Sequence, residues 1–246
     1  MLKNERERQI LRIIEREGGF ASVRGLCAAL FASEASIRRD LRALEAEGLI
    51  RRTHGGAERK ENPSGGIAFS SRTSQFQDEK RAMAQIAKRL VKNGDIVFLD
   101  QSSSAFYLAA ALAENRTLTF VTNNVQILAL LSKSEAKVYG SGGLLCPENR
   151  TCLIGEDAAA AFSRVRADLL FFSARSLSEE GQITDLSREE VLVREAMMKN
   201  ADKTVFLCNT AKCGTRSAYL QCNLKEVDYY INENGAFDGE GNPIDL

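Results

Sequence analysis

Tryptophan is absent from the 246 residues, proline occurs three times, and His54 is the single histidine. The six cysteines (Cys27, Cys146, Cys152, Cys208, Cys213, Cys222) include no C-x-x-C pair. A zinc centre would have to gather ligands from scattered, mostly apolar contexts, so the expectation is buried structural thiols and no metal. No apolar run approaches the roughly 20 residues that span a bilayer, and the chain opens on a charged helix rather than a signal peptide. These absences point to a soluble cytoplasmic protein with reduced thiols and no membrane partner. Excess charge of one sign is also missing, since 33 Lys and Arg balance 33 Asp and Glu.

The balance is uneven along the chain. Residues 1–60 carry 13 basic against 9 acidic side chains, and residues 61–246 carry 20 against 24. A basic front on a slightly acidic body fits a small nucleic-acid reader attached to another domain. With 44% hydrophobic residues, the chain can bury substantial cores.

The basic front has helical periodicity. Residues 3–17 place Ile10, Ile13 and Ile14 on one face, and Gly18-Gly19 ends the helix. Ser22 opens a second helix with Val23, Leu26, Cys27 and Leu30 inward. After the short turn Phe31-Ala32, a third helix starts at Ser33, a suitable N-cap, with Glu34 in its first turn. Ile37, Leu41 and Leu44 form its apolar stripe, while Ala35, Arg38, Arg39 and Arg42 point the other way. Two short helices with the second basic make a helix-turn-helix. On such a helix, arginines reach phosphates or guanine edges, and the small Ala35 permits close approach. Gly48 stops the helix, Leu49 to Thr53 reads as a strand, and His54-Gly55-Gly56-Ala57 as the tight turn of a wing. Arg51, Arg52 and His54 would then lie beside phosphates or the minor groove. Without that context the arginines are a solvated face and His54 a turn residue.

Residues 58–76, with Pro63, Gly65, Gly66 and little apolar periodicity, read as a linker between a domain at 1–57 and one at 77–246. The larger part alternates helices with short apolar strands, including Ile96–Leu99, Leu118–Val121, Leu169–Phe172, Thr204–Leu207 and Val227–Ile231. The fold class is α/β, with a mainly parallel sheet behind a small winged helix-turn-helix. Ligands of such sheets collect beyond the carboxyl ends of the strands, where polar clusters recur here. Asp100 to Ser104 follows one strand, Thr122-Asn123-Asn124 the next, Gly142-Gly143 a third and Asn209 to Lys212 a later one. Ser102, Ser103 and Ser104 at a helix N-terminus suit a phosphate, Lys212 supplies a cation, and Asp100 with the two asparagines suits sugar hydroxyls. Each cluster also has a plain reading as turn, bend or solvated lysine.

The run Ser36-Ile37-Arg38-Arg39-Asp40-Leu41, followed by Leu44-Glu45, Gly48-Leu49 and Arg52-Thr53-His54-Gly55-Gly56-Ala57, resembles the signature of the DeoR family of bacterial transcriptional regulators. That family usually has Thr where this chain has Ser36 and Val where it has Ala32. The resemblance extends over the larger domain, through Asp100, Thr122-Asn123, Gly142-Gly143 and Lys212, with Lys80 near its start. It implies an isomerase-like effector domain that senses phosphorylated sugars or related metabolites, with no cofactor. There are departures. Gln101-Ser102-Ser103-Ser104 stands where the family has Ser-Gly-Thr-Thr, and Asn209 and Ala211 replace an aspartate and a serine.

The expectation is a repressor that binds double-stranded operator DNA as a dimer or tetramer and answers to a phosphorylated sugar. A DNA binder with a degenerate sensor is the first alternative. A sugar-phosphate isomerase or lyase using Asp100, Asp185 and Lys212 is the second.

Overall fold

The computed structural model describes residues 3–16, 20–53, 55–59 and 69–246. The chain divides into a unit ending at Ser74 and a unit beginning at Gln75.

The first unit holds α1 (Lys3–Arg16), β1 (Phe20–Ser22), α2 (Val23–Leu30), α3 (Glu34–Ala46), β2 (Ile50–Arg52), β3 (Gly56–Arg59) and α4 (Phe69–Ser74). The isoleucines of α1 pack with Val23 and Leu26 of α2 and with Ile37, Leu41 and Leu44 of α3 in one core. Spacings of three and four residues put each set on one helix face. Ser22 caps α2 by accepting from Gly25 N at 3.0 Å, and Ser33 caps α3 by accepting from Ser36 N at 3.3 Å. Asp40, on the inner side of α3, is fully buried and held by Arg6 of α1, with Nε at 2.5 Å and Nη2 at 3.2 Å. A buried carboxylate is tolerated because this fork satisfies both oxygens.

Three short antiparallel strands, in the order β1-β3-β2, form the wing sheet. Strand β1 was not expected. Three residues are too few to show a period, and β1 is held by backbone pairing with β3, Ala21 opposite Ala57. Gly56 and Ala57 were expected in the turn but belong to β3, as do Glu58 and Arg59, expected in the linker. A Cβ on Gly56 would lie 2.2 Å from Ala21 O, so only glycine lets the strands approach here. The expected linker also contains α4. His54, Gly18-Gly19 and the stretch 60–68 lie outside the described residues.

The second unit is a three-layer α/β/α domain. Its elements are α5 (Gln77–Lys88), β4 (Ile96–Leu99), α6 (Ser103–Leu112), β5 (Thr119–Thr122), α7 (Val125–Leu131), β6 (Lys137–Gly140), β7 (Leu144–Leu145), β8 (Leu153–Ile154), α8 (Glu156–Ser163), β9 (Ala167–Phe172), β10 (Ser176–Leu177), β11 (Gln182–Asp185), α9 (Arg188–Lys199), β12 (Ala201–Leu207), β13 (Tyr219–Asn223), β14 (Tyr229–Asn232), β15 (Gly235–Phe237) and β16 (Pro243–Ile244). The main sheet runs β16-β15-β14-β12-β9-β4-β5-β6, parallel from β14 to β6, with an antiparallel β15-β16 edge. Alternate residues of its strands face opposite layers. Val97, Leu99, Phe120 and Phe171 pack under α5, α6 and α7, while Phe98, Phe172 and Phe206 pack against α8 and α9.

Chain order reverses direction between β4 and β9. From β4 the chain moves outward through β5 and β6, then returns to the other side of β4 for β9, β12 and β14. The crevice at that reversal is where open α/β sheets receive ligands. A small antiparallel sheet, β10-β11-β13, stands beside this end. Residues 178–185, which read equally well as a turn, contribute β11 to it.

Candidate functional site

Two surfaces carry the candidate functional groups, one in each unit. On the first, Ala35, Arg38, Arg39 and Arg42 of α3 are all exposed and Ser36 is half-buried. Ser33 is committed to the helix cap, and its hydroxyl also donates to Ser36 Oγ at 3.0 Å. Three of the five expected arginines pair with glutamates of their own domain. Arg38 contacts Glu34 at 2.7 Å, Arg52 contacts Glu45 at 2.6 Å, and Arg51 pairs with Glu58 across the wing. Among the described residues Arg39 and Arg42 make no ion pair. They are the guanidinium groups immediately available to an incoming anion, while the other three must exchange a carboxylate for it.

On the second surface, the expected residues gather at the carboxyl end of the main sheet, but they do different work. Asp100, expected to face sugar hydroxyls, is fully buried and its oxygens are engaged. Oδ1 accepts from Ser102 N at 3.0 Å, and Oδ2 accepts from Ser173 N at 3.1 Å across the β4–β9 crevice. It is a brace for the site rather than a sugar contact. Burial pushes its carboxyl group up, while Arg194 and the hydrogen bonds from Ser102 and Ser173 pull it down. Ser102 stands where the resembled pattern has glycine, yet its backbone is extended (φ −75°), so no glycine is required. Its hydroxyl caps α6, accepting from Ala105 N at 3.0 Å. Ser103 and Ser104 open α6. Among the described residues neither hydroxyl has a hydrogen-bond partner, which leaves the pair available at a positive helix end.

Thr122 Oγ1 accepts from Asn124 N at 3.1 Å, shaping the turn that presents the two asparagines. Asn123 donates to Leu153 O at 3.1 Å and to Gln101 Oε1 at 3.3 Å, but its buried Oδ1 has no partner. Asn124 caps α7, with Oδ1 accepting from Gln126 N at 2.8 Å, and its buried Nδ2 has no partner. Asn209, which follows β12 and is 2% exposed, likewise leaves Oδ1 unpaired. Buried polar atoms without partners are uncommon because each loses its hydration without replacement. Two acceptors and one donor of this kind, in loops at one end of the sheet, are what hydroxyl groups of a ligand would satisfy. Lys212 Nζ contacts Ala174 O at 2.8 Å and Ser173 Oγ at 3.0 Å, which sets the lysine motif beside the β9 loop. Gly143 adopts φ +98°, and a Cβ there would lie 2.6 Å from Ile154 O, so glycine lets this loop close on β8 and α8. Gly142 also has positive φ, in open space. Lys80 is buried, with Nζ 2.5 Å from Gln75 O.

Beneath these loops sits a group that the sequence reading missed. Arg194 of α9 is 1% exposed and contacts Asp185 at 2.5 Å, Asp100 at 3.4 Å and Glu190 at 3.6 Å, while Nη1 donates to Gln221 at 2.9 Å. Glu190 extends the network to Gln101 at 2.8 Å and Asn149 at 2.9 Å. Burial acts to lower the Arg194 pKa, but Asp185, Asp100 and Glu190 outweigh it and keep the guanidinium charged. The available signal was a charged residue at an inward position, one helical turn from Val191 and Met197.

Comparison with known proteins matches each unit to a known domain. Residues 75–234 match the family model described as the DeoR C terminal sensor domain, and residues 6–62 match the DeoR-like helix-turn-helix domain. The chain belongs to the DeoR family. Its relatives include the HTH-type transcriptional regulator GlpR of Haloferax volcanii, 32% identical over 98% of this chain and 93% of that protein. The glycerol-3-phosphate regulon repressor of Haemophilus influenzae is 30% identical over 93% of this chain and 89% of that protein. Among solved structures, ribose 5-phosphate isomerase A of Methanocaldococcus jannaschii aligns with 56% of this chain and 54% of its own at TM-score 0.42 and 18% identity.

In this DeoR-family protein no group of three His, Cys, Asp or Glu side chains is gathered for a metal among the described residues. No helix among them is long and apolar enough to cross a membrane. The cysteines are free thiols, and four of the six are buried as expected. Cys27 is half-buried, and Cys213 is the full departure, exposed directly after Lys212. The neighbouring Cys208 thiol, helped by the Tyr230 hydroxyl at 3.7 Å and opposed by burial, lowers its pKa to about 6. Burial instead raises Cys222 to about 12. Iodoacetamide should therefore label Cys213 ahead of the other thiols at pH 7, with a half-maximal rate near pH 6, as read by peptide mass spectrometry. Arg194→Met should leave the fully buried Asp100 and the part-buried Asp185 as uncompensated carboxylates. Denaturant unfolding should show a loss of about 3–5 kcal/mol.

Proposed function

We propose that this DeoR-family regulator is an operator-binding repressor whose sensor domain accepts a phosphorylated sugar or polyol and does not transform it. The observation that carries the sensor reading is the set of unpaired buried atoms, Asn123 Oδ1, Asn124 Nδ2 and Asn209 Oδ1. The Ser103 and Ser104 hydroxyls and the α6 N-terminus supply donors suited to a phosphate, with Lys212 as the nearby cation. The glycerol-3-phosphate regulon repressor among its relatives supports the same ligand class. Gly142 and Gly143 act as backbone of the site, and Thr122, Ser102 and Asp100 as its frame.

Binding without turnover is supported by the state of the candidate bases. Proton abstraction needs a carboxylate within reach of the substrate and open to it. Asp100 and Asp185 are both turned to Arg194, at 3.4 and 2.5 Å. Full-length protein incubated with pentose and hexose phosphates should show no isomer by NMR, and turnover would overturn this part of the reading.

On the DNA side, α3 is the recognition helix, with Ser33, Ala35, Ser36, Arg38, Arg39 and Arg42 at the major groove and Arg51, Arg52 and His54 of the wing at the adjacent backbone. One helix-turn-helix covers few base pairs, so a cytoplasmic homodimer or tetramer reading repeated half-sites completes the device. An effector that favours the DNA-incompetent state weakens operator binding by its differential affinity, typically ~1–3 kcal/mol.

Operator affinity for the region upstream of its own gene, measured at fixed salt with a panel of sugar phosphates, should shift with one compound. Indifference to every compound would leave a constitutive binder. Asn209→Ala should weaken that compound by about 1 kcal/mol, roughly fivefold, with operator affinity in its absence unchanged. Arg39→Ala or Arg42→Ala should either lower the slope of log affinity against log salt by about one or relax discrimination at one guanine by ~1–3 kcal/mol. A variant that does neither would remove its arginine from the interface.

A further inference from the structure

Phe31, in the turn between α2 and α3, is 98% exposed. It is also one of two described non-glycine residues with positive φ, at φ 48° and ψ 41°. The left-handed conformation itself has a clear purpose. It ends α2, lets the Phe31 N–H donate to Cys27 O, and turns the chain toward the cap of α3 at Ser33. Glycine performs that step without steric cost, whereas a Cβ in this region is strained. The phenyl ring gives nothing in return within the domain, because almost all of its surface meets water. Phe31 is thus unfavourable twice over, in backbone and in hydration, at a position where a smaller residue would serve the fold better.

The ring sits two residues before the N-cap of the recognition helix, close in sequence to Ala35, Arg38 and Arg39. On the α3 side its neighbours Ser33 and Glu34 are exposed and polar, and on the α2 side Ala28 and Ala29 are exposed with Leu30 half-buried, so the ring is the one large exposed apolar group of the turn. The N-terminal part of a recognition helix meets the base edges, and the preceding turn accompanies it to the groove. The apolar features there are the 5-methyl group of thymine and the edge of deoxyribose, and phenylalanine is among the side chains that contact the methyl.

We propose that Phe31 docks on these apolar atoms of the operator and so contributes to affinity beyond the arginines of α3. The proposal rests on α3 being the recognition helix. Opposite signs for stability and binding set it apart from a structural role. The experiment uses full-length protein and an operator duplex selected from a random pool by the wild-type chain. Phe31→Gly should melt at the same or a higher temperature than wild type. It should bind the operator about fivefold more weakly or worse, with an unchanged salt slope because no charge is lost. Phe31→Leu, which keeps an apolar side chain, should retain more of the affinity.

Operators carrying deoxyuridine in place of each thymine identify the source. If the methyl is the contact, one substitution weakens wild type by a similar factor and leaves Phe31→Gly indifferent. If no substitution does so while Phe31→Gly still binds weakly, the contact is the sugar edge. Operator binding by Phe31→Gly within twofold of wild type would overturn the proposal, as would a lowered melting temperature. A reduced oligomeric mass accompanying the weaker binding would overturn it in favour of contact with a second copy.

Discussion

A guanidinium group with 1% of its surface exposed is the constraint on which the sensor domain turns. Removing Arg194 from water carries a desolvation cost of several kcal/mol, offset only because Asp185, Asp100 and Glu190 surround it. Those partners belong to separate parts of the fold. Asp185 ends β11 of the small sheet, Asp100 begins the serine loop, and Glu190 lies one turn back on α9. The ion pair therefore ties three backbone segments to one point beneath the crevice. Asp100 extends the hold to Ser173, and Glu190 to Gln101 and through it to Asn123. The Asn123 and Asn124 amides above are oriented by bonds on one side and left open on the other, so their dipoles need little rearrangement to meet a ligand.

The smaller unit uses the same device at lower cost. Asp40 is fully buried on α3, and Arg6 reaches it from α1 while remaining 21% exposed. Here only one charge is completely desolvated. The pair sets the angle of α3 against α1, and apolar packing from Ile37, Leu41 and Leu44 supplies most of the stabilisation. In both units a buried carboxylate positions a functional element while the functional groups themselves stay uncommitted or lightly paired.

The sequence was most informative where a residue's role follows from local chemistry. Ser22 and Ser33 as helix caps, the apolar stripes of α1 to α3 and the parallel strands Ile96–Leu99 and Thr204–Leu207 all depend on neighbours within a few positions. Legibility failed where long-range contacts decide. Asp100 looked like a ligand contact because it follows a strand at the sheet edge where ligands collect, but its partner lies 94 positions away at Arg194. Strand β1 is defined only by its pairing with β3. Ser102 looked like an obstacle in a glycine's place, and its extended backbone and capping hydroxyl became visible only in three dimensions. The unpaired atoms of Asn123, Asn124 and Asn209 cannot be read from a one-dimensional pattern at all, since satisfaction of a hydrogen bond is a property of the whole neighbourhood.

The glutamate partners of Arg38, Arg51 and Arg52 have a kinetic consequence. In free protein these pairs mute part of the positive field, so random stretches of chromosome attract the domain less than its arginine count suggests. Opening each exposed pair costs little, about 0–1 kcal/mol, and a well-fitted phosphate or base edge compensates for it. On the proposed interface, residence on the wrong sequence is shortened while the right one still recruits all five cations. In that proposal the acidic neighbours of α3 act as a brake on sticking, which speeds the search along DNA.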